Sequence, residues 1–189
     1  MRAHASRAAG TTAAAHASQR GASTSYVDAY SLTQELLPFG REGGRYARTV
    51  TMTLRPAVVA DAPGLVALWD DAYLSERSAD GINGIERALR DDRLACIVAE
   101  VSGRLVGSVL AGFDGWRGNL YRLAVAPEFR GRGIAHALVA RAEELLGDAG
   151  AARLNAIVDV HNEPAMRFWS AQGFELDPGS VRFVGRIPE

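Results

Sequence analysis

The sequence predicts an α/β domain, and three observations carry that prediction. Stretches of alternating apolar residues, the period of a half-buried strand, take turns along the chain with stretches of helical period. The sharpest change of period comes after Tyr121, Leu123 and Val125, where Ile134, Leu138, Val139, Ala142, Leu145 and Leu146 fall on one helical face. The length of 189 residues suits one core of roughly 130 residues plus an extension.

The extension is expected first. Up to Val27 the chain has no acidic residue, three arginines and two histidines among many Ala, Ser and Thr. That composition cannot bury enough surface to offset its ordering entropy, so residues 1–50 read as a disordered extension and 51–189 as the domain. Arg-rich and acid-poor is also how transit peptides look, whereas a signal peptide is excluded for want of a central apolar stretch. Met52 stands just before Thr53-Leu54-Arg55-Pro56. An upstream start codon is the preferred account of the extension.

The elements of the domain follow in order. Residues 51–55 read as a first strand. Asp61 is placed to cap a helix with Pro63 in its first turn and Leu65, Leu68, Trp69 and Ala72 inward. After a break at Gly81-Ile82-Asn83-Gly84, a short helix covers 85–90. Strands over 94–101 and 104–113 are joined by Ser102-Gly103, a hairpin signal. A fourth strand spans 119–125, the long helix 133–146, and a fifth strand 153–160. Pro164 opens the last helix, which stops near Gly173. Strands over 174–176 and 181–187 flank the turn Asp177-Pro178-Gly179, and no internal repeat appears.

Charge and cysteine narrow the function. The net charge is −1, which gives no basic surface for nucleic acid. All 21 basic residues are arginine, as a GC-rich coding sequence would produce. Cys96 is the single cysteine and lies in an apolar strand pattern, so it reads as a buried structural thiol. No apolar run approaches the ~20 residues of a membrane span. A cytoplasmic enzyme is expected.

The segment Leu123-Ala-Val-Ala-Pro-Glu-Phe-Arg-Gly-Arg-Gly-Ile-Ala135 carries the chemistry. Glycines at a helix start let the chain approach a ligand closely, and the free N–H groups there form a cradle for phosphate. A dinucleotide fingerprint is excluded. Gly131 and Gly133 fit its first two places, but the third falls on His136 and no acidic residue lies at the required distance.

Arg130-x-x-Gly133-x-Ala135 after this strand resembles the acyl-CoA motif of the GNAT superfamily of N-acetyltransferases. Downstream, Asn162-Glu-Pro-Ala165-Met-Arg-Phe168-Trp169-Ser-Ala-Gln-Gly173-Phe174 resembles that superfamily's N-x-x-A-x-x-F-Y-x-x-x-G-F segment. The resemblance covers residues 53–187, and Gly112-Phe-Asp-Gly-Trp-Arg-Gly118 is similar to the YpeA-type group of small bacterial acetyltransferases. It implies a mixed, mostly antiparallel sheet of six to seven strands flanked by about four helices, with acyl-CoA between strands four and five. The implied activity is transfer of an acetyl group from acetyl-CoA to a primary amine of a small molecule or protein. No metal, nucleic acid or membrane is implied; a homodimer is left open.

The resemblance also distributes roles. The backbone from Arg130, Gly131, Arg132, Gly133 and Ile134 to Ala135 would hold the CoA pyrophosphate. Leu123 and Val125 would pair with the pantetheine arm like an added strand, with the Val125 N–H on the thioester carbonyl. Asn162 would bond the cofactor arm or serve as an ordinary helix cap. Asp159 and His161, two apart at a strand end and so on one face, and Tyr121 are candidate bases; Asp114 is a further one. Trp169 stands where the family has tyrosine. Its indole donates a hydrogen bond but does not release a proton, so it reads as a wall of the pocket. A non-catalytic acyl-CoA-binding or regulatory module is the alternative function. Trp116, Tyr73, Asp70 and Asp71 could line the acceptor side.

Overall fold

In a computed structural model, residues 32–36, 50–72 and 81–183 are described. Alternation in the apolar stretches produces strands that lie side by side in chain order: β1 (Leu32–Leu36), β2 (Val50–Pro56), β3 (Leu94–Val101), β4 (Arg104–Phe113), β5 (Gly118–Val125) and β6 (Leu154–Ala156). Neighbours are antiparallel except β5 and β6, which are parallel and need a crossover. Helix α3 (Ile134–Asp148) supplies it. The other helices are α1 (Ala62–Ala72), α2 (Ile82–Ala88) and α4 (Glu163–Ala171). The architecture is α/β with a mixed sheet.

The pleat divides the core in two. On one face Met52, Ile97, Val109 and Leu120 meet Ile134, Leu138 and Leu146 of α3 and Trp169 of α4. On the other, Val98, Leu110 and Ala124 meet Leu65, Leu68 and Trp69 of α1 and Ile85 of α2. Cys96 is buried on this second face, where desolvation pushes its thiol up to about 12. It is a structural thiol.

Several elements differ from the sequence reading, each for a local reason. β1 falls within the expected extension and pairs antiparallel with β2 from Leu32 to Leu36; the stretch Leu-Thr-Gln-Glu-Leu shows no alternation that could announce a strand. Residues 1–31 and 37–49 lie outside the described residues. Asp61 does not cap α1. Its carboxylate turns back to accept the Val58 N–H and a two-pronged bond from Arg55, closing a 3-10 turn before the helix. Gly84 lies inside α2 rather than before it, in open space that demands nothing of a side chain.

The fifth predicted strand is shorter than expected. β6 holds three residues, Leu154–Ala156, because its ladder with β5 ends at Leu120. The Asp177-Pro178-Gly179 turn is present, with Asp177 accepting the Gly179 N–H and the Ser180 hydroxyl. No strand flanks it among residues 174–183, where Leu176, Val181 and Phe183 are exposed; residues 184–187 lie outside the described residues.

Candidate functional site

The candidate site lies at the carboxyl ends of the parallel pair β5 and β6, the kind of place where open α/β sheets take ligands. The two strands pair only from Gly118–Leu154 to Leu120–Ala156, while β5 runs on to Val125. The parting begins at a bulge. Between the pairs Leu110–Tyr121 and Ser108–Ala124, Val109 of β4 faces both Arg122 and Leu123, and Arg122 takes a left-handed φ of +51°. Tyr121 and Arg122 therefore both turn to the α1 face: Tyr121 lies beside Gly112, and the Arg122 guanidinium sits 5.0 Å over the Trp69 ring. Leu123 packs toward the α3 side.

Beyond the bulge the N–H directions alternate. Ala126 donates to Val106 on β4 at 2.9 Å, so the Val125 N–H points the other way, into the parting. Val125 itself is buried. Its carbonyl accepts Nε of Arg130 at 3.1 Å, and Nη2 of Arg130 reaches the Ala72 carbonyl at the end of α1 at 3.2 Å. The Arg130 side chain thus braces β5, the loop and α1, a good use of a cation at a helix C-terminus.

The loop then opens. The Arg130 N–H is taken by the Pro127 carbonyl and the Ala137 N–H by that of Gly133. Between them, residues 131–136 find no backbone acceptor among the described residues. Gly131 and Gly133 have φ of +72° and +81°, and Gly133 caps α3 without any side-chain bond. A Cβ at Gly133 would meet nothing within 4 Å. Arg132 donates to the Glu128 carbonyl and lies over Phe129, while its buried Nε has no protein partner among the described residues. Ile134 is buried in the core and Ala135 packs on it, which fixes the row of donors. Such a row at a helix start offers donors that an anion can use.

Seating this helix start requires a glycine that sequence reading passed over. A Cβ at Gly107 would stand 3.0 Å from Cγ2 of Ile134 and 3.1 Å from Cδ1 of Leu138, so its absence lets α3 lie close on β4. Nδ1 of His136 donates to Oε1 of Gln172 at 2.6 Å and ties the first turn of α3 to the end of α4. Trp169 of α4 is 9% exposed and packs edge-on against Phe168 and Phe174.

The predicted polar groups are differently disposed. Asp159 and His161 do not share a strand face, because β6 stops at Ala156 and both lie in the turn before α4. There the Asp159 carboxylate accepts the His161 N–H at 2.9 Å. Asn162 caps α4, its Oδ1 accepting the Ala165 N–H at 3.1 Å. Asp114 is held below the usual carboxylate range by the N–H groups of Arg117 and Trp116, which occupy it as a turn residue. Trp116 and Arg117 stack on each other at the surface, Asp70 and Asp71 are exposed on α1, and Tyr73 lies outside the described residues.

Among the described residues no cluster of three metal-ligating side chains occurs, and no helix is long and apolar enough to cross a membrane. Comparison with known proteins agrees with the geometry. A family model described as the acetyltransferase (GNAT) family matches residues 62–174. An acetyltransferase of Yersinia enterocolitica is 39% identical over 124 residues, 66% of this chain and 88% of the relative. A solved aminoglycoside acetyltransferase, AAC(6')-Iy with a CoA-S-monomethyl-acetylneamine bisubstrate analog, superposes with a TM-score of 0.61 at 20% identity, over 72% of this chain and 99% of that one. The PaiA N-acetyltransferase of Thermoplasma acidophilum, solved with coenzyme A, gives 0.63 at 16% identity, over 68% and 92%.

Proposed function

The chain belongs to the GNAT acetyltransferase family, and from that premise we propose that it moves an acetyl group from acetyl-CoA to a primary amine by direct attack. The observation that carries the reading is the row of N–H groups over residues 131–136, opening at the same sheet edge where β5 and β6 part. The donor set suits a pyrophosphate, and the space beside Gly133 admits one. The resemblance to a fold solved with CoA joined to an acetylated amine supports the same pairing of substrates.

Acetyl-CoA, when bound, supplies the thioester carbonyl that an amine attacks. The backbone of Gly131, Arg132, Gly133, Ile134 and Ala135 would hold its pyrophosphate, with Arg130 acting as the brace behind them. Leu123 and Val125 would run alongside the pantetheine arm, and the Val125 N–H would polarise the carbonyl. Asn162 keeps its Nδ2 for the arm while Oδ1 caps α4. Trp169 would close the thioester pocket without giving up a proton. For the amine proton, the imidazole of His161, the Tyr121 phenol and the Asp159 carboxylate remain the candidates, directly or through water. The acetyltransferase domain would comprise 51–189 together with β1, which pairs onto its sheet, in a cytoplasmic protein without nucleic-acid or membrane partners.

Thiol release from acetyl-CoA over a panel of amines tests the reading, with Trp169→Phe and Trp169→Tyr alongside. Acetylated product from wild type is expected, with kcat in Trp169→Phe falling less than the ~10²-fold typical of a lost general acid. Tight acetyl-CoA binding with no product from any amine would instead establish a non-catalytic acyl-CoA module, which the exchange of tyrosine for Trp169 favours.

A further inference from the structure

Behind the β5 bulge lies a buried polar chain that no part of the core requires. Ser108 of β4 is fully buried, among side chains that are otherwise apolar. Trp69 of α1, 2% exposed, donates its indole N–H to Oγ of Ser108 at 2.9 Å. The same hydroxyl donates to the carbonyl of Arg122 at 3.1 Å. One hydroxyl therefore uses one acceptor site and its single proton, and the chain ends on the residue whose φ of +51° makes the bulge. An apolar residue pair would fill this space without the cost of burying polar groups. A strained backbone position persists only where its surroundings fix it.

We infer that Ser108 and Trp69 are positioning residues for acyl transfer: they hold the Arg122 carbonyl, and with it the bulge that aims the Val125 N–H and the Leu123 backbone into the parting between β5 and β6. The inference rests on the acyl-CoA reading of that parting. It separates the site into two independently built halves. The pyrophosphate cradle at 131–135 is set by glycines and by the seat of α3; the thioester end is set from the opposite face of the sheet through α1. Ser108→Ala removes the hydroxyl and with it both bonds, the one from the Trp69 N–H and the one to the Arg122 carbonyl. Trp69→Phe leaves the Ser108 bond to Arg122 in place. The first should therefore do more harm than the second.

The experiment uses the full chain at a temperature where each variant is folded by circular dichroism. It measures kcat with acetyl-CoA and a turned-over amine, and calorimetric affinity for acetyl-CoA and for 3'-phospho-ADP (adenosine 3'-phosphate 5'-diphosphate), which keeps the pyrophosphate and lacks the pantetheine arm. Ser108→Ala should lower kcat by up to about 10²-fold, the scale of a reacting group displaced by about 1 Å. Its acetyl-CoA affinity should fall several-fold while 3'-phospho-ADP binds as in wild type. Trp69→Phe should follow in the same direction by a smaller factor, and Ser108→Thr should recover most of the loss. The double variant should be no worse than Ser108→Ala, because both act through one device. A folded Ser108→Ala with kcat within twofold of wild type, or with both ligands weakened equally, would overturn the inference. If wild type acetylates no amine, the acetyltransferase reading fails on its own, and the contrast between acetyl-CoA and 3'-phospho-ADP binding still decides this one. Should Ser108→Ala not fold, Trp69→Phe decides it by the same contrast.

Discussion

Two strand-to-helix junctions stand at the same edge of the sheet, and they are finished in opposite ways. At the end of β5 the chain reaches α3 through Gly131 and Gly133, and α3 starts with no side-chain cap. At the end of β6 it reaches α4 through Asp159, His161 and Asn162, and side chains take the N–H groups of both His161 and Ala165. Every helix start has orphan donors. A glycine cap leaves them for a ligand, whereas an asparagine or aspartate satisfies them from within. On the proposed reading the first junction takes the pyrophosphate because it is chemically unfinished; the second, equally polar in sequence, uses its side chains to cap its own turn and helix.

Gly133→Glu breaks the contrast from the open side. A side chain at a φ of +81° is strained, and a carboxylate there repels a pyrophosphate. CoA affinity by calorimetry should fall at least ~10²-fold, an electrostatic and steric loss of about 3 kcal/mol, while circular dichroism shows the same fold. Gly107→Ala acts one layer below. Its Cβ would push Ile134 and Leu138 and tilt the start of α3. CoA affinity should fall by roughly tenfold, about 1.4 kcal/mol, with a lowered Tm.

α1 gives a third kind of helix entry, closed by an ion pair. Arg55 beside Asp61 holds that carboxyl below its ordinary range. The folded chain then binds fewer protons there, so the contribution is present above the ordinary carboxylate range and is lost as pH falls through the depressed value. Asp61→Asn should cost about 2 kcal/mol at pH 7, the scale of a hydrogen bond to a charged group. Denaturation of both proteins near pH 2 should show that difference shrinking, with CoA affinity untouched at neutral pH. Asn162→Ala breaks the closed junction. It should cost about 1 kcal/mol of stability, as a lost helix cap does, and change CoA affinity by no more than about threefold, a loss of the Nδ2 contact alone.

Local signals explain what was legible in the sequence. β3, β4, β5 and α3 carry long, regular periods and appear within two residues of their expected bounds. The open start of α3 was legible because a glycine at a helix start is a local signal. β1 was not, since five residues without alternation become a strand only by pairing with β2. The short β6 was not, because a bulge in another strand, at Arg122, ends its ladder. The same long-range cause misplaced Asp159 and His161 on a strand face. Ser108 and Trp69 escaped notice because each reads as an ordinary core position, and only the fold joins them to Arg122.

The contrast between the two junctions is tested most directly by following backbone amides in a 15N-labelled protein as CoA is added. The amides of residues 131–135 should shift strongly and gain protection from exchange, while those of His161 and Ala165, already bonded within the protein, should stay protected and nearly unmoved. Unperturbed amides at 131–135 together with large shifts at 161–165 would contradict the account, because the ligand would then sit on the closed junction and not the open one.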